Sequence, residues 1–243
     1  MVYQSKQNPL IKKIYSLKDK KGRKEFSLYI VEGVKMVLEA ISNRQEIENI
    51  VLEEGFSIDL NGYEDKIITV SKSVFSYLSC EKTPQGVLAT LKINVKDVKP
   101  PRQNALLLDG VSDPGNLGTI IRTAAASGYL DIYAVNCVDA FSPKTVRSSM
   151  SGIYFVNFYK CTYEQAFSAL CGVDLIVGDL QGENLFEFKP KRNYCIAVGN
   201  EGNGLSSEVK NLANYTLTIP MSENSESLNV AVAASIMMYE LKY

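Results

Sequence analysis

Three loops in the second half of the chain contain the side chains best suited to chemistry. They carry amide, hydroxyl, carboxylate and guanidinium groups, at Asn116, Arg122, Glu201, Ser227 and Asn229. The chain has no histidine, which excludes Ser-His-Asp and Cys-His catalysis, imidazole bases and the commonest metal ligand. Any reaction catalysed here must therefore use carboxylates, hydroxyls, amides, lysines or arginines.

The first loop leads into a helix that contains an arginine. Asp113-Pro114-Gly115 predicts a turn, and Asn116 is expected to cap the helix that follows. Arg122 comes six residues later, among isoleucines and alanines. Because a buried charge is costly unless it is paired, Arg122 needs a partner. It is interpreted either as a phosphate-binding or catalytic group, or as one half of a salt bridge to the neighbouring strand.

The second and third loops offer a carboxylate and a further amide. The spacing from Gly199 to Gly204 is G-x-x-G-x-G, which is not the dinucleotide fingerprint G-x-G-x-x-G and opposes a nucleotide-dependent oxidoreductase. Glu201 is expected to accept a hydrogen bond from a ribose hydroxyl or to hold an arginine. Ser227 is predicted to cap the last helix, which leaves Asn229 free to offer its amide to a ligand.

Apolar runs predict the strands that position these loops. They lie at residues 105–109, 131–135, 154–159, 174–178, 195–199 and 216–219, with helices between them and a last helix at 228–241. This alternation predicts an α/β fold, a mostly parallel sheet with helices on both faces. Ligands bind at the carboxyl ends of the strands of such sheets, so the three loops should meet at one edge.

The first half of the chain predicts a second, smaller α/β domain. Strands are expected at 28–31, 47–52, 67–70 and 86–93, and helices at 9–20, 34–41 and 73–79. A polar stretch with adjacent prolines at Pro100 and Pro101 disfavours helix and is interpreted as a linker. The predicted organisation is a domain at 1–95, a linker at 96–103 and a second domain at 104–243.

The polar start of the chain lacks the apolar core of a signal peptide, which predicts a cytoplasmic protein, and its charge distribution suggests a polyanionic partner. Residues 1–35 contain nine basic and three acidic side chains, a bias that indicates either a polyanion contact or a solvated helix face. The five cysteines never form C-x-x-C, which argues against a disulfide framework and a zinc site. No apolar run approaches the roughly 20 residues of a membrane span, so no membrane partner is expected. The cysteine spacing and the lack of histidine give no reason to expect a metal.

In order and composition, the three loops resemble the signature motifs of the SpoU (TrmH-type) RNA 2′-O-ribose methyltransferases of the SPOUT superfamily. The matching pieces are N-L-G-x-I-x-R-T-A from Asn116, G-N-E-G-x-G from Gly199, and I-P-M followed by S-L-N-V-A-V-A-A, ending at Ala234. The resemblance spans residues 104–243. A looser one, carried by Y-I-V-E-G-V-K-M-V from Tyr29, likens the N-terminal stretch to the ribosomal-protein-like substrate domain of many members.

The resemblance implies a fold and a cofactor. The C-terminal domain should contain a deep trefoil knot, which is a property of the family and does not follow from the residue pattern. S-adenosylmethionine should bind in the knot, against backbone and apolar side chains of three segments. Carried over position by position, the cofactor-binding residues would be Gly178, Asp179, Leu180, Gly199, Gly202, Ile219, Met221 and Leu228.

The resemblance also implies a reaction, the transfer of a methyl group to a ribose 2′-hydroxyl of structured RNA. Arg122 would orient the hydroxyl and stabilise developing negative charge. Glu201 would hold Arg122 or contact RNA, and Ser227 and Asn229 would fix Arg122 and the ribose, with Asn116 the remaining polar position. No metal is required, because the methyl group of a sulfonium is already activated.

Partners follow from the same resemblance. Ribosomal RNA is favoured over transfer RNA, and a homodimer is implied because family members complete each active site across a dimer interface. The expected RNA contacts are Lys12, Lys13, Lys20, Lys21, Arg23, Lys24 and Arg147. The alternative is a catalytically inactive RNA-binding scaffold of the same fold, which would need the glycines more than Arg122 or Asn229.

Overall fold

The structure of the chain, a computed structural model, describes residues 2–224 and 226–242. It divides into two compact units. The first unit contains the residues up to Asn94 together with Phe141–Tyr154, and the second contains Val95–Ala140 and the chain from Phe155 onward. The sequence prediction placed residues 141–154 in the C-terminal domain. They pack in the first unit because Phe141, Val146 and Tyr154 join its apolar core.

The first unit is built on a five-stranded sheet. Its order is β1-β4-β3-β5-β2, in which β5 runs antiparallel to both of its neighbours. The strands are β1 Val2–Tyr3, β2 Leu28–Glu32, β3 Ile47–Glu53, β4 Ile67–Val70 and β5 Val87–Lys92. The helices are α1 Pro9–Ser16, α2 Lys20–Phe26, α3 Val34–Ser42 and α4 Lys72–Leu78, to which Pro143–Ser149 adds α6.

Alternating side chains separate this sheet into two buried faces. Leu28 and Ile30 of β2 join a core with α1 and α4, whereas Tyr29 and Val31 join a core with α3 on the opposite face. The alternation follows from the two-residue period of a strand, which points successive side chains to opposite faces. The predicted small α/β domain is therefore a three-layer sandwich.

The second unit is built on a six-stranded sheet in which every pair of neighbours is parallel. Its order is β11-β9-β10-β6-β7-β8. The strands are β6 Ala105–Asp109, β7 Asp131–Val135, β8 Asn157–Lys160, β9 Asp174–Asn184, β10 Tyr194–Val198 and β11 Tyr215–Thr218. The helices are α5 Pro114–Ser127, α7 Tyr163–Ala169, α8 Ser207–Lys210 and α9 Val230–Glu240.

Helices cover both faces of this sheet, which confirms the predicted α/β class. The side chains of α7 and α8 pack with Leu107, Tyr133 and Ala197 on one face. On the other face α5 contacts α9, and Leu106 and Ile196 are fully buried. None of the described helices combines the length and the apolarity needed to cross a bilayer.

The predicted elements agree with the structure except near their ends. The helix expected at 9–20 stops at Ser16, and α2 follows it as a separate helix. The strand expected at 154–159 begins only at Asn157, because Met150–Tyr154 forms a 3-10 segment. β9 continues to Asn184, beyond the predicted end at residue 178, where it rejoins β11.

Arg23 is a structural residue, which corrects its predicted role as an RNA contact. The side chain is 5% exposed. Its Nη1 atom donates hydrogen bonds to the carbonyl oxygens of Leu17 and Lys18, each at 2.8 Å. These carbonyls lie where α1 ends, so the guanidinium satisfies backbone groups that have no partner within the helix. Arg23 therefore ties the end of α1 to α2.

Replacing Arg23 should lower stability. Arg23→Met keeps much of the aliphatic stem but leaves the two carbonyls without their donor, which we expect to cost about 1–3 kcal/mol of unfolding free energy. Urea denaturation of the full chain measures it. The exposed neighbour Lys24 provides the control, because Lys24→Met should stay within about 0.5 kcal/mol of the wild type. Equal stability of the two variants would contradict the structural role of Arg23.

Candidate functional site

The candidate site lies where β6, β10 and β11 end. β6 leads into α5, β10 into the glycine-rich loop 199–204, and β11 into the segment that precedes α9. α5 begins at Pro114 and is capped by Asp113, whose Oδ1 accepts from the backbone N–H groups of Gly115 and Asn116 at 2.7 and 2.9 Å. The cap predicted at Asn116 is therefore wrong. Asn116 is the third helical residue, and its side-chain amide remains available.

Glu201 joins the glycine-rich loop to the loop after β6. One carboxylate oxygen, Oε2, accepts from the backbone N–H and the hydroxyl of Ser112, at 3.1 and 2.8 Å. The other oxygen, Oε1, accepts from the backbone N–H of Asp113 at 3.1 Å and from Nδ2 of Asn116 at 2.9 Å. With a further, long hydrogen bond of 3.5 Å from Nδ2 of Asn200 to Oε2, five hydrogen bonds occupy the carboxylate. It therefore does not hold Arg122, the partner suggested for it by the sequence.

The amide of Asn116 continues this network to the third loop. Its Oδ1 accepts a hydrogen bond of 3.0 Å from Nδ2 of Asn229. A carboxylate only accepts, so Asn116 must present its NH₂ group to Glu201 and its oxygen to Asn229. Each member thus determines the orientation of the next, and Glu201, Asn116 and Asn229 form a relay that joins all three loops.

Asn229, and not Ser227, is the N-cap of α9. The Oδ1 atom of Asn229 accepts from the N–H groups of Ala231 and Val232 at 2.9 and 3.3 Å, and the helix begins at Val230. The prediction that Ser227 caps this helix is wrong, because the helix begins two residues later than expected. Both ends of the Asn229 amide are engaged, one in the cap and one with Asn116, so neither pairs with Arg122.

Two polar residues that the sequence interpretation did not single out also hold the loops together. Asn200 accepts at Oδ1 from the N–H groups of Gly202 and Asn203, and its Nδ2 donates to the carbonyl of Gly110 at 2.9 Å. Asp109 is buried and accepts from the Tyr163 hydroxyl and the Ser206 N–H. An asparagine beside a glycine-rich turn is the signal that identifies Asn200.

Gly199 allows the second loop to fold back on itself. A Cβ atom at this position would lie 2.2 Å from the carbonyl carbon of Gly204. Asn200 and Gly204 exchange two backbone hydrogen bonds of 2.9 Å across the loop. Only glycine fits this approach, so Gly199 shapes the loop that carries Glu201. Gly202 lies at the exposed turn between them.

Arg122 lies outside the relay. Its side chain is exposed, and among residues 2–224 and 226–242 it has no hydrogen bond or ion pair with another protein group. Of the two interpretations of Arg122, the buried salt bridge to a neighbouring strand is therefore wrong, and the phosphate-binding or catalytic group stays a prediction. Arg122 and Asn116 are six residues apart on α5, which places them on different sides of the helix at 3.6 residues per turn. The guanidinium faces solvent and is accessible to an anion.

Residues 178–182 form a bulge that leaves the sheet beside β11. β11 pairs with Val177 through Thr216 and then with Glu183 through Leu217, so the intervening residues of β9 have no ladder partner on β11. The bulge contains the predicted cofactor residues Gly178, Asp179 and Leu180. The Leu180 side chain is 61% exposed, and its carbonyl accepts from the Thr218 hydroxyl at 3.2 Å.

The remaining predicted cofactor residues follow β11. Ile219, Met221 and Leu228 are half-buried. The Thr218–Leu180 hydrogen bond places Leu180 beside the start of this segment. Apolar side chains beside loop backbone suit an adenine ring, because such a ligand needs shape and a few backbone hydrogen bonds more than charge. Asp179 is engaged elsewhere. Its carboxylate pairs with Lys210 at 2.8 Å, and this hydrogen bond lowers its pKa. Ser225, in the same stretch of chain, lies outside the described residues.

The predicted RNA-binding residues divide by environment. Lys12, Lys20, Lys21 and Lys24 are exposed. Lys13 pairs with Glu48 at 3.3 Å, and Arg147, although exposed, pairs with Glu81 at 2.6 Å. Among the residues that the structure describes, no group of three or more cysteine or acidic side chains could hold a metal ion.

Fold and site together define an α/β protein with its ligand loops at the carboxyl ends of parallel strands. Residues 103–239 match the SpoU rRNA Methylase family, and residues 8–89 match the MRM3-like substrate binding domain. The chain belongs to the SpoU rRNA Methylase family. This confirms the family inferred from the three motifs.

Relatives resemble the chain over its whole length. It is 31% identical to the 23S rRNA (guanosine(2553)-2′-O)-methyltransferase RlmP of Bacillus subtilis, over 98% of each chain. The AdoMet-bound rRNA methyltransferase of Sinorhizobium meliloti is 28% identical, with a TM-score of 0.87 over 98% of this chain and 97% of that one. The SpoU methyltransferase AviRb of Streptomyces viridochromogenes is 25% identical, with a TM-score of 0.85 over 96% of each chain.

The relay gives Glu201 an acid-dependent role in stability. Burial raises the pKa of its carboxyl, but hydrogen bonds from Asn116, Ser112 and the backbone outweigh this and lower the pKa from 4.5 to about 2. The charged form is therefore favoured by folding. Its contribution to stability is complete above the ordinary pKa and is lost as the pH falls through the folded value.

We therefore expect the difference in unfolding free energy between the wild type and Glu201→Gln to be constant above about pH 5. It should shrink as the pH falls toward 2, and urea titrations at several pH values measure it. Asn116→Ala removes one of the donors and so raises the folded pKa of Glu201. In that background the decline should be smaller and should end at a higher pH. A difference that does not change between pH 5 and pH 2 would contradict the depressed pKa.

Proposed function

We propose that this protein transfers a methyl group from S-adenosylmethionine to a ribose 2′-hydroxyl of ribosomal RNA. The observation that carries the proposal is the relay of Glu201, Asn116 and Asn229, which joins three loops beside an exposed arginine. Membership of the SpoU family and the rRNA substrates of RlmP and the Sinorhizobium enzyme support it. Relatives such as RlmP come from bacteria, in which ribosomes are assembled in the cytoplasm, so we propose a cytoplasmic location too.

The cofactor would be held by residues 178–180, Gly199 and Gly202, and the half-buried apolar side chains after β11. S-adenosylmethionine supplies a methyl group already activated by the sulfonium charge. What the chain must supply is position. The relay fixes the loops relative to one another, and positioning of reactants can lower a barrier by several kcal/mol. The trefoil knot of the family is proposed here as well, on the ground of family membership.

Arg122 would act on the nucleophile. An arginine is a cation at neutral pH, so it is suited to orient the 2′-hydroxyl and stabilise the negative charge that develops on its oxygen, and poorly suited to remove the proton. A guanidinium that no carboxylate of residues 2–224 and 226–242 neutralises keeps its full charge for an RNA phosphate and the ribose. Ser227, exposed beside the relay, would contact the ribose. Asn229 would act by positioning Asn116.

The proposal predicts the loss of a specific modification. Deleting the gene should remove at least one 2′-O-methyl group from ribosomal RNA, mapped by mass spectrometry. A plasmid copy should restore it, and a copy with Arg122→Ala should not. The matched control is Arg102→Ala, since Arg102 is also exposed but precedes β6 at the opposite edge of the sheet.

Calorimetry distinguishes a catalytic from a cofactor-binding role of Arg122. The Arg122→Ala protein should bind S-adenosylmethionine within a few fold of the wild type. A large loss of affinity would place Arg122 in the cofactor pocket. No lost methyl group and no binding of S-adenosylmethionine by the wild type would refute the enzyme, and RNA binding alone would then support the inactive scaffold.

We further propose a homodimer that uses α9. The helix is apolar around its whole circumference except for Ser235, Tyr239 and Glu240, a pattern expected for a buried helix. Yet Val232 is 46% and Tyr239 47% exposed, and Ile236 is half-buried between them. These positions recur at i, i+4 and i+7, so they share one side of the helix. An exposed apolar stripe of this kind indicates a protein interface.

A charge in this stripe should separate the proposed dimer. Val232→Asp leaves the fold of one chain intact, because the side chain is already exposed, but would place a carboxylate in the interface. Sedimentation velocity should show a dimer for the wild type and a monomer for the variant. Leu212→Asp is the control, since Leu212 is 50% exposed in the same unit but lies outside α9. A wild type that sediments as a monomer would refute the dimer.

A further inference from the structure

The first unit carries an aromatic and cationic column that the proposed reaction does not use. The rings of Tyr15 and Tyr77 are stacked, with centroids 4.0 Å apart and planes 3° from parallel. Lys18 lies over the Tyr15 ring at 4.9 Å and Lys6 over the Tyr77 ring at 5.1 Å. Both tyrosines are only half-buried. The four side chains form a lysine–tyrosine–tyrosine–lysine column beside α1 and α4.

The two lysines differ in how strongly other groups hold them over the rings. The Lys18 ammonium donates hydrogen bonds of 2.8 and 2.7 Å to the carbonyl oxygens of Tyr77 and Ser79. It is therefore anchored over the Tyr15 ring. Lys6 is exposed. Among the described residues it has no hydrogen bond or ion pair besides its contact with the Tyr77 ring. A flexible side chain held by one weak contact can move aside, so the outer face of Tyr77 is the end that a ligand can reach.

The surroundings of the column favour an anion. Six lysines on α1, α2, α4 and the segment before α1 are exposed and have no acidic partner within 4 Å among the described residues, namely Lys6, Lys12, Lys20, Lys21, Lys24 and Lys72. The acidic side chains of α1, α2 and their connection are Asp19 and Glu25. Glu32 and Glu81 lie near Lys18, at the anchored end of the column and not at the Lys6 end. A flat ring face edged by lysines matches a nucleotide, which joins a planar base to a phosphate. An acidic peptide would use the lysines but not the ring.

We propose that this column binds an unpaired base of the substrate RNA. The base stacks on the outer face of Tyr77, extending the two-ring stack to three, and the displaced Lys6 pairs with an adjacent phosphate. Bases inside a duplex are already stacked on their neighbours, so the column selects loops, bulges and ends. The inference rests on the proposed function for the identity of the substrate but concerns a different unit from the methyl-transfer site.

The absence of tryptophan from the chain makes the column directly observable. Tyr77→Trp introduces a single indole at the proposed stacking face, and a base placed against it should quench its fluorescence. The probes are an RNA hairpin with an unpaired loop and a blunt RNA duplex with the same number of nucleotides. We expect the hairpin to quench the fluorescence and the duplex to have little effect. Tyr63→Trp is the matched control, because Tyr63 is also half-buried under a lysine, Lys66 at 5.7 Å, but is not stacked.

Affinities measured on the full chain by fluorescence anisotropy with labelled RNA provide the second readout. Tyr77→Ala should weaken hairpin binding about tenfold or more and duplex binding far less. Lys6 is exposed in the segment before α1, so Lys6→Glu leaves the packing of the core unchanged. It should weaken binding and reduce the salt dependence by about one ion. Lys35→Glu, an exposed lysine on α3 at the opposite face of the sheet, should have a smaller effect.

Each outcome has a separate meaning. If Tyr77→Trp shows no quenching and Tyr77→Ala binds the hairpin as the wild type does, the column is not a base-binding site, whether or not the protein methylates RNA. If polyglutamate displaces the labelled hairpin as well as unlabelled hairpin does, and hairpin and duplex bind with equal affinity, the surface binds polyanions by charge alone and the column is not a base-binding site. If quenching and discrimination are seen but the wild type transfers no methyl group, the column stands and the proposed reaction fails.

Discussion

The amide of Asn116 is hydrogen-bonded at both ends, and the arrangement of the site depends on this. Glu201 can only accept, and Asn229 must use its oxygen for the helix cap, so Asn116 can satisfy both neighbours in a single orientation. The three loops that follow β6, β10 and β11 are thereby held in fixed positions relative to one another. An aspartate at this position could keep only the bond from Asn229, and a leucine could keep neither.

Two carboxylates, one at each end of the glycine-rich loop, also hold the loops together by accepting hydrogen bonds. Buried Asp109 closes the far end of the glycine-rich loop by accepting from Ser206, while exposed Glu201 closes the near end by accepting from Ser112 and Asp113. Backbone N–H groups are fixed dipoles, so the bonds cost little side-chain entropy on the donor side. The depressed pKa of Glu201 is the electrostatic consequence of this donor set.

Sequence periodicity predicted the strands of both units except β1, because apolar runs and two-residue alternation indicate burial directly. The two residues of β1 are too few to show a period. β6 and β7 were predicted to the residue. Helix caps were not, because Asp113 and Asn116 both suit the start of α5, as Ser227 and Asn229 suit the start of α9, and only tertiary partners decide between them. The exposure of Arg122 was missed for a related reason. Isoleucine and alanine neighbours indicate one buried side of a helix, and the residue between them lies on the other.

The exposure of Arg122 bears on how the proposed enzyme separates binding from chemistry. A guanidinium in water gains little from a distant charge, because screening by solvent and salt is strong. Once RNA excludes water, the same cation interacts several times more strongly with a phosphate and with the ribose oxygen. The electrostatic interaction of Arg122 would therefore reach its full strength only with substrate bound. The hydrogen bonds of the relay are already formed without it. On this view the loops are preorganised by protein contacts, and bound RNA would supply the partner that Arg122 needs for its proposed role.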